Sequence, residues 1–261
     1  MNYGLYLSAS GVLTNLYRQD VFANNLANVH TVGFKPDVAT VHQRDPESIE
    51  DRTGFEFRND LLDRLGGGVL GGPQHVDLTP GQLRQTGREL DAALEDRNAF
   101  FAVSVQSPRT GASETQLTRD GRFDVSDGFL VTSAGGYRVL DAQNQPIELD
   151  GEVPAQITES GGLIQRGAEV AQLHVVSVSD PKRLIKQGGN RFKLDGPDSL
   201  RQTLESPHVR PGFVESSGVD PIRALMRVIE ATKTATGNGN LIRYHDLLMD
   251  RAVNVLGRVL A

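Results

Sequence analysis

Asp120, Asp124 and Asp127 put three carboxylates within eight residues, the kind of oxygen-rich cluster that could hold a calcium ion. They lack the one-three-five spacing and the distal glutamate of a twelve-residue calcium loop. Asp120-Gly121 and Asp127-Gly128 read instead as tight hairpin turns. The six histidines, His30, His42, His75, His174, His208 and His245, form no His-Glu-x-x-His pair and no pair four residues apart, so no helix face offers two imidazoles to zinc. Gly66-Gly67-Gly68 and Gly71-Gly72-Pro73 suggest a phosphate-cradling loop, but no Gly-Lys-Ser/Thr follows, and the run reads as a connector or tight turn. There is no Gly-x-Ser-x-Gly elbow and no cysteine, which removes a serine-hydrolase signature and excludes thiol catalysis. Among 33 acidic residues no spacing singles out a glycosidase pair, and Lys182, Arg183 and Lys186 read as a solvated edge rather than an anion site. The expectation is a chain with no catalytic residues, no cofactor, no metal and no small-molecule substrate.

Composition narrows the partners further. The net charge of −6 with no long basic run disfavours nucleic acid and anionic membrane. No stretch approaches the roughly 18 apolar residues of a membrane span, and the N-terminus lacks the basic and apolar regions of a cleavable signal peptide. Read alone, that pattern implies a cytoplasmic protein. Without disulfides, stability has to come from burial and assembly.

The elements that would position any functional residue fall into four segments. Residues 1–36 open with a helix in which Leu5, Ala9, Val12, Leu16, Gln19, Ala23 and Leu26 alternate at three- and four-residue steps, the spacing of a coiled-coil seam. Thr31-Val32-Gly33 and Pro36 end it. Residues 37–75 read as a linker. Residues 76–214 carry short β-branched or aromatic runs separated by Asp-Gly and Gly-Gly turns, a central antiparallel β-rich domain in which residues 100–105 form a buried strand. Residues 215–261 return to helix, with Asp220-Pro221 as cap and first turn and a second seam through Leu225, Val228, Ile242, Met249, Val253, Leu256 and Leu260. Thr232, Ala235, Gly239 and Asp246 weaken the middle of that seam. Gly237 and Gly239 each cost about 1 kcal/mol against alanine, which points to a kink or a close backbone approach there. The fold class expected is α+β, with the two terminal helices pairing as a coiled coil.

Three blocks resemble the rod and hook family of bacterial flagellar axial proteins. The first is Ser8-Ala9-Ser10-Gly11 followed by the ungapped run from Asp20 through Ala23-Asn24-Asn25-Leu26-Ala27-Asn28 to Thr31-Val32-Gly33-Phe34-Lys35. The second comprises Thr79-Pro80-Gly81-Gln82-Leu83, Leu90-Asp91-Ala92-Ala93-Leu94 and Leu117-Thr118-Arg119-Asp120-Gly121-Arg122-Phe123. The third is Ser216-Ser217-Gly218-Val219-Asp220-Pro221 with Ile229-Glu230-Ala231, Asn238 and Leu241-Ile242. Glu95-Asp96-Arg97-Asn98-Ala99 departs from the glycine-containing turn usual in that family. Gly66-Gly67-Gly68-Val69 resembles distal rod proteins, and Gly87-Arg88-Glu89-Leu90-Asp91 proximal ones, so that assignment stays open.

The resemblance implies a structural subunit of the flagellar basal-body rod that polymerises helically and transmits torque from motor to hook. Its implied partners are copies of itself, other rod and hook proteins and the flagellar export apparatus, with export through the flagellar channel and no cleaved signal peptide. The implied place is the periplasm-spanning rod of the basal body. The rival expectation is a soluble or secreted β-domain binding module that dimerises through its terminal helices. The residues expected at the assembly interface are Leu5, Val12, Leu16, Asn24, Asn25, Leu26, Asn28, Gly33, Phe34, Leu225, Val228, Ile242, Met249, Val253, Leu256 and Leu260.

Overall fold

In the computed structural model, residues 3–45, 66–106, 111–197 and 200–254 are described. Their contacts divide the chain into a helical unit, drawn from Met1–Ala27, Asp37–His75 and Asp220–Ala261, and a β-rich unit, drawn from Asn28–Pro36 and Val76–Val219.

The helical unit contains the only two α-helices among the described residues, Tyr3–Ala27 and Pro221–Asn254. The second begins where Asp220 Oδ1 accepts the N–H groups of Ile222 and Arg223 at 3.0 and 3.1 Å, with the ring of Pro221 already set for a helical first turn. The helices run antiparallel. A Cβ on Gly4 would meet His245, a Cβ on Gly11 would meet Asn238, and Arg227 lies over the Phe22 ring. Val21, Phe22 and Ala231 form a small apolar centre with Tyr17, Ala39 and Val228 against it. Another side of the first helix holds the antiparallel pair Val41–Gln43 and Val69–Gly71. There Thr14 Oγ1 donates to Val69 O at 2.9 Å and the Tyr17 hydroxyl to Gly72 O at 2.8 Å.

This arrangement corrects the expected coiled coil. The helices are neighbours, but the seam does not form: Leu16, Leu225, Met249 and Val253 are 45, 49, 46 and 68% exposed. What is buried instead is Thr14, Asn15, Val21, Phe22, Asn25, Ala224 and Ala231. The cause is side-chain size and competition. Glycine and alanine let the two backbones approach where large seam residues would hold them apart, and the strand pair covers part of the first helix that an apolar stripe was expected to give to the second helix. Nor is there a break at Gly237 and Gly239. The helix is continuous through both, and a Cβ at either would meet nothing within 4 Å.

The β-rich unit is built around Ala99–Gln106, whose residues point alternately into two cores. Ala99, Phe101 and Val103 enter one, and Phe100 and Ala102 the other. Burial on both faces explains why this strand reads as a continuous apolar run instead of alternating. Phe101 meets Phe123 edge-on at 5.1 Å and Phe100 meets Phe192 at 5.5 Å. The strand pairs antiparallel with Ser113–Thr118, Arg138–Val139 and Val175–Val178. The main sheet extends through Arg191–Leu194 to Leu184–Gly188 on one side and through Phe129–Thr132 to Phe123–Ser126 on the other. Ala155–Ile157, Gly162–Gln165 and Ala168–Gln172 make a separate three-stranded sheet.

Asp127 and Gly128, at φ 52° and 78°, form the tight turn expected between Phe123–Ser126 and Phe129–Thr132. Asp120-Gly121 does not make a hairpin. Ser113–Thr118 and Phe123–Ser126 do not pair with each other, and Gly121 is there because a Cβ would lie 1.6 Å from Ala92 O. The stretch around Lys182–Lys186, expected as a solvated edge, is a short 3₁₀ turn, Pro181–Arg183, followed by the edge strand Leu184–Gly188.

Candidate functional site

The residues that could have done chemistry are engaged elsewhere. Asp120 binds Arg122 through both oxygens, at 2.9 and 2.7 Å, while Asp124 pairs with Arg88 and Ser133. Among the described residues no three His, Asp or Glu side chains are grouped to hold a metal. The glycine run is used for packing: a Cβ at Gly67 would lie 2.1 Å from Asp45 O, and one at Gly68 would lie 2.7 Å from Ser10 Oγ. What remains as a candidate site is surface in the helical unit and a buried ionic cluster in the β-rich unit.

The surface is the outward side of Pro221–Asn254. At about 100° per residue, Ile222, Met226, Ile229, Tyr244 and Leu247 fall opposite the face that carries Ala224, Ala231, Asn238 and His245. These outward residues are 44 to 71% exposed, whereas Ala224 and Ala231 are 5 and 2% exposed. The helix thus turns Ala224 and Ala231 inward and leaves these five large apolar residues outward. On the first helix Tyr6, Leu13 and Leu16 are also exposed, and Tyr6, Leu13, Val69 and Leu70 line a shallow apolar groove.

The residues expected at an interface are distributed unevenly. Leu16, Asn24, Leu225, Met249 and Val253 are exposed, while Leu5, Val12, Leu26, Asn28, Val228 and Ile242 are half-buried. Asn25 is buried, its amide donating to Asp37 O at 2.8 Å and its oxygen accepting from Asp37 N at 2.9 Å. Gly33 and Phe34 are buried inside the β-rich unit. Leu256 and Leu260 lie outside the described residues. The outward face was readable in principle, since Ile222, Met226 and Ile229 repeat at four- and three-residue steps. It was passed over because Leu225 and Val228 satisfy the same period one residue away.

The ionic cluster joins residues far apart in sequence. Lys35 Nζ donates to Glu215 Oε1 at 2.5 Å and to Thr79 O at 3.2 Å. Arg119 Nε stands 3.2 Å from Glu215 Oε2, near enough for ionic attraction though not aligned as a hydrogen bond. The guanidinium gives Nη1 to Asp96 O and Ala99 O, at 2.9 and 2.7 Å, and Nη2 to Arg97 O at 3.1 Å. All three side chains are 2% exposed or less. Burial, and then the charge of Arg119, push the Lys35 ammonium below the usual lysine range, with Glu215 pulling the other way. Burial also lowers Arg119. The sequence marked Gly33-Phe34-Lys35 and Arg119 by resemblance but gave no sign that Glu215 lies between the two cations.

The pattern of the family described as "Flagella basal body rod protein" matches residues 5–35. Over nearly its whole length the chain is similar to three named relatives. It is 26% identical to the flagellar basal-body rod protein FlgF of Mesorhizobium japonicum, with 98% of this chain and 99% of that protein covered. It is 26% identical to FlgF of Caulobacter vibrioides, with 99% and 100% covered. It is also 26% identical to the flagellar basal-body rod protein FlgG of Bacillus subtilis, with 96% and 98% covered.

Proposed function

We infer that this chain, a member of the bacterial flagellar basal-body rod family, is a structural subunit of the rod. It assembles with copies of itself or with other rod and hook proteins, and it carries torque as part of a helical array. The observation that supports assembly is the second helix, whose residues Ile222, Met226, Ile229, Tyr244 and Leu247 face away from its partner helix. Leaving Ile222, Met226, Ile229, Tyr244 and Leu247 in water forgoes about 1.5–3 kcal/mol for each large side chain that a neighbour could bury. The exposed members of the expected interface, Leu16, Asn24, Leu225, Met249 and Val253, are further side chains open to a neighbour. An outward ridge on one subunit and a groove on the next are different surfaces, and joining different surfaces head to tail with a rotation that does not close gives a helix.

No enzymatic role is part of this reading. The subunit leaves the cell body through the flagellar export apparatus without a cleaved signal peptide and takes its place in the basal body. Among the described residues no helix is long and apolar enough to cross a membrane.

The test is Ile222→Asp combined with Leu247→Asp. Both side chains are more than half exposed, so melting of the isolated subunit should change by no more than about 0.5 kcal/mol per site. Sedimentation should show wild-type chains forming long assemblies as concentration rises and the variant staying monomeric. Cells carrying the variant should not swim. Normal motility would overturn the surface assignment, and wild-type assembly that stops at two chains would favour the binding-module reading.

A further inference from the structure

The first helix ends at Ala27 and the second begins at Pro221, and the residues just after the first and just before the second are bonded to each other. Gly33 N donates to Glu215 O at 2.7 Å and Gly218 N to Phe34 O at 2.9 Å. Between these two bonds lies the Lys35–Glu215 pair, whose carboxylate also accepts Gly81 N at 2.7 Å. The Asn190 amide holds Val32 O at 2.7 Å, and Lys186 Nζ holds Lys35 O at 2.6 Å while sitting over the Phe34 ring. Two bare backbones make the fit possible. A Cβ on Gly33 would lie 2.4 Å from Arg119 O, and one on Gly81 would lie 2.1 Å from Ser216 O. Gly33 also has φ +67°, a left-handed conformation that glycine adopts without strain.

We propose that residues 32–36 are a strap, anchored by the buried carboxylate of Glu215, that ties the exit of the first helix to the entrance of the second. Force applied at either helix root is then borne by this cluster instead of by the strands in between. The chemistry suits the task. A hydrogen-bonded ionic cluster out of water is directional and resists sliding, whereas apolar contacts can slip. A core built only for stability would have no need of two cations around one carboxylate at this one crossing. The mechanical part of the proposal rests on the rod-subunit reading; the strap itself does not.

Hydrogen exchange on the purified full chain tests the strap. In Lys35→Met the amides of Gly33, Gly81 and Gly218 should exchange at least about tenfold faster, while those of Ala102 and Leu130, buried residues of main-sheet strands that donate to His174 O and Ile147 O, keep their wild-type rates. Equal acceleration at all five amides, or none, would overturn the strap. Lys186→Met, which removes one tether without stranding a buried charge, should give the same pattern on a smaller scale and guards against a Lys35 variant that does not fold. Uniform change there would also overturn it. The mechanical role is read in cells: Lys186→Met should leave subunits in purified basal bodies but reduce swimming speed in viscous medium. Wild-type speed under load would sink the mechanical role with the rod reading intact. Failure to find wild-type chain in basal bodies would instead sink the rod reading.

Discussion

The helical unit and the β-rich unit differ in how much apolar side chain they bury. In the β-rich unit Phe100, Phe101, Phe123, Phe192 and Leu130 are wholly enclosed, and the polar groups taken inside with them include the charged side chains of Lys35, Asp91, Arg119, Asp120 and Glu215. In the helical unit the apolar centre is only Val21, Phe22 and Ala231, the other enclosed residues include Thr14, Asn15, Asn25 and Ala224, and many large apolar residues are outside. The β-rich unit encloses its large apolar side chains; the helical unit leaves many of its own exposed, and that surface is the one proposed for assembly. On that proposal stability and assembly are divided between separate stretches of sequence, which lets one surface change without unfolding the other unit.

The largest effect that would sharpen this contrast is Phe101→Ala. Phe101 is fully buried and packed on Phe123, so its loss should cost about 3–5 kcal/mol and collapse cooperative melting of the β-rich unit. Leu13→Ala in the first helix removes about half as many apolar carbons, from a side chain 68% exposed, and should change melting by less than about 0.5 kcal/mol. Similar losses from both substitutions would break the comparison.

The next effect runs in the stabilising direction. With open space around both positions, Gly237→Ala combined with Gly239→Ala should stabilise the second helix by about 2 kcal/mol, seen as higher helix content on heating. If the variant is more stable yet fails to assemble, the glycines accommodate a neighbouring subunit.

The smallest concerns His174 in the β-rich unit. Its Nε2 lies 3.1 Å from Thr203 Oγ1, and burial first, then Arg201, lowers its pKa against the opposing pull of Asp141. The unfolded chain therefore takes up a proton at higher pH than the folded one. Its contribution to stability is fully present above the ordinary histidine value and is lost as pH falls through the depressed folded one. Stability measured across that window should fall with acid in the wild type and more gently in His174→Gln. Identical slopes would show that His174 keeps its ordinary pKa.

How legible these features were depended on how local their causes are. The Asp220-Pro221 start, the Asp127-Gly128 turn and the 100–105 strand are written in adjacent residues, and they appear as read. The helix pairing was misread because the rule of apolar seams assumes that the partner helix is the only competitor for the stripe. Here a strand pair occupies one side, and Gly4 and Gly11, beside the expected seam, leave room for the His245 and Asn238 side chains of the second helix. The resemblance of Thr31-Val32-Gly33-Phe34-Lys35 to flagellar axial proteins points to Gly33 and Phe34 as surface for assembly. The structure puts them in the β-rich core, because what they touch, Arg119 and Glu215, is remote in sequence and no short pattern connects the three.

That remoteness sets an order of events. The Lys35–Glu215 bond spans 180 residues, so although Asn190 and Lys186 can hold carbonyls of the strap earlier, its ionic anchor waits until Glu215 has been made. At about 5–20 residues per second, that interval is roughly 10–40 s. Closing so long a loop is also among the slower steps available to a chain this size, because its entropy must be spent before any contact returns it. A nascent subunit therefore makes most of its chain before this ionic anchor can close, and the anchor comes within reach just before the final helix is made.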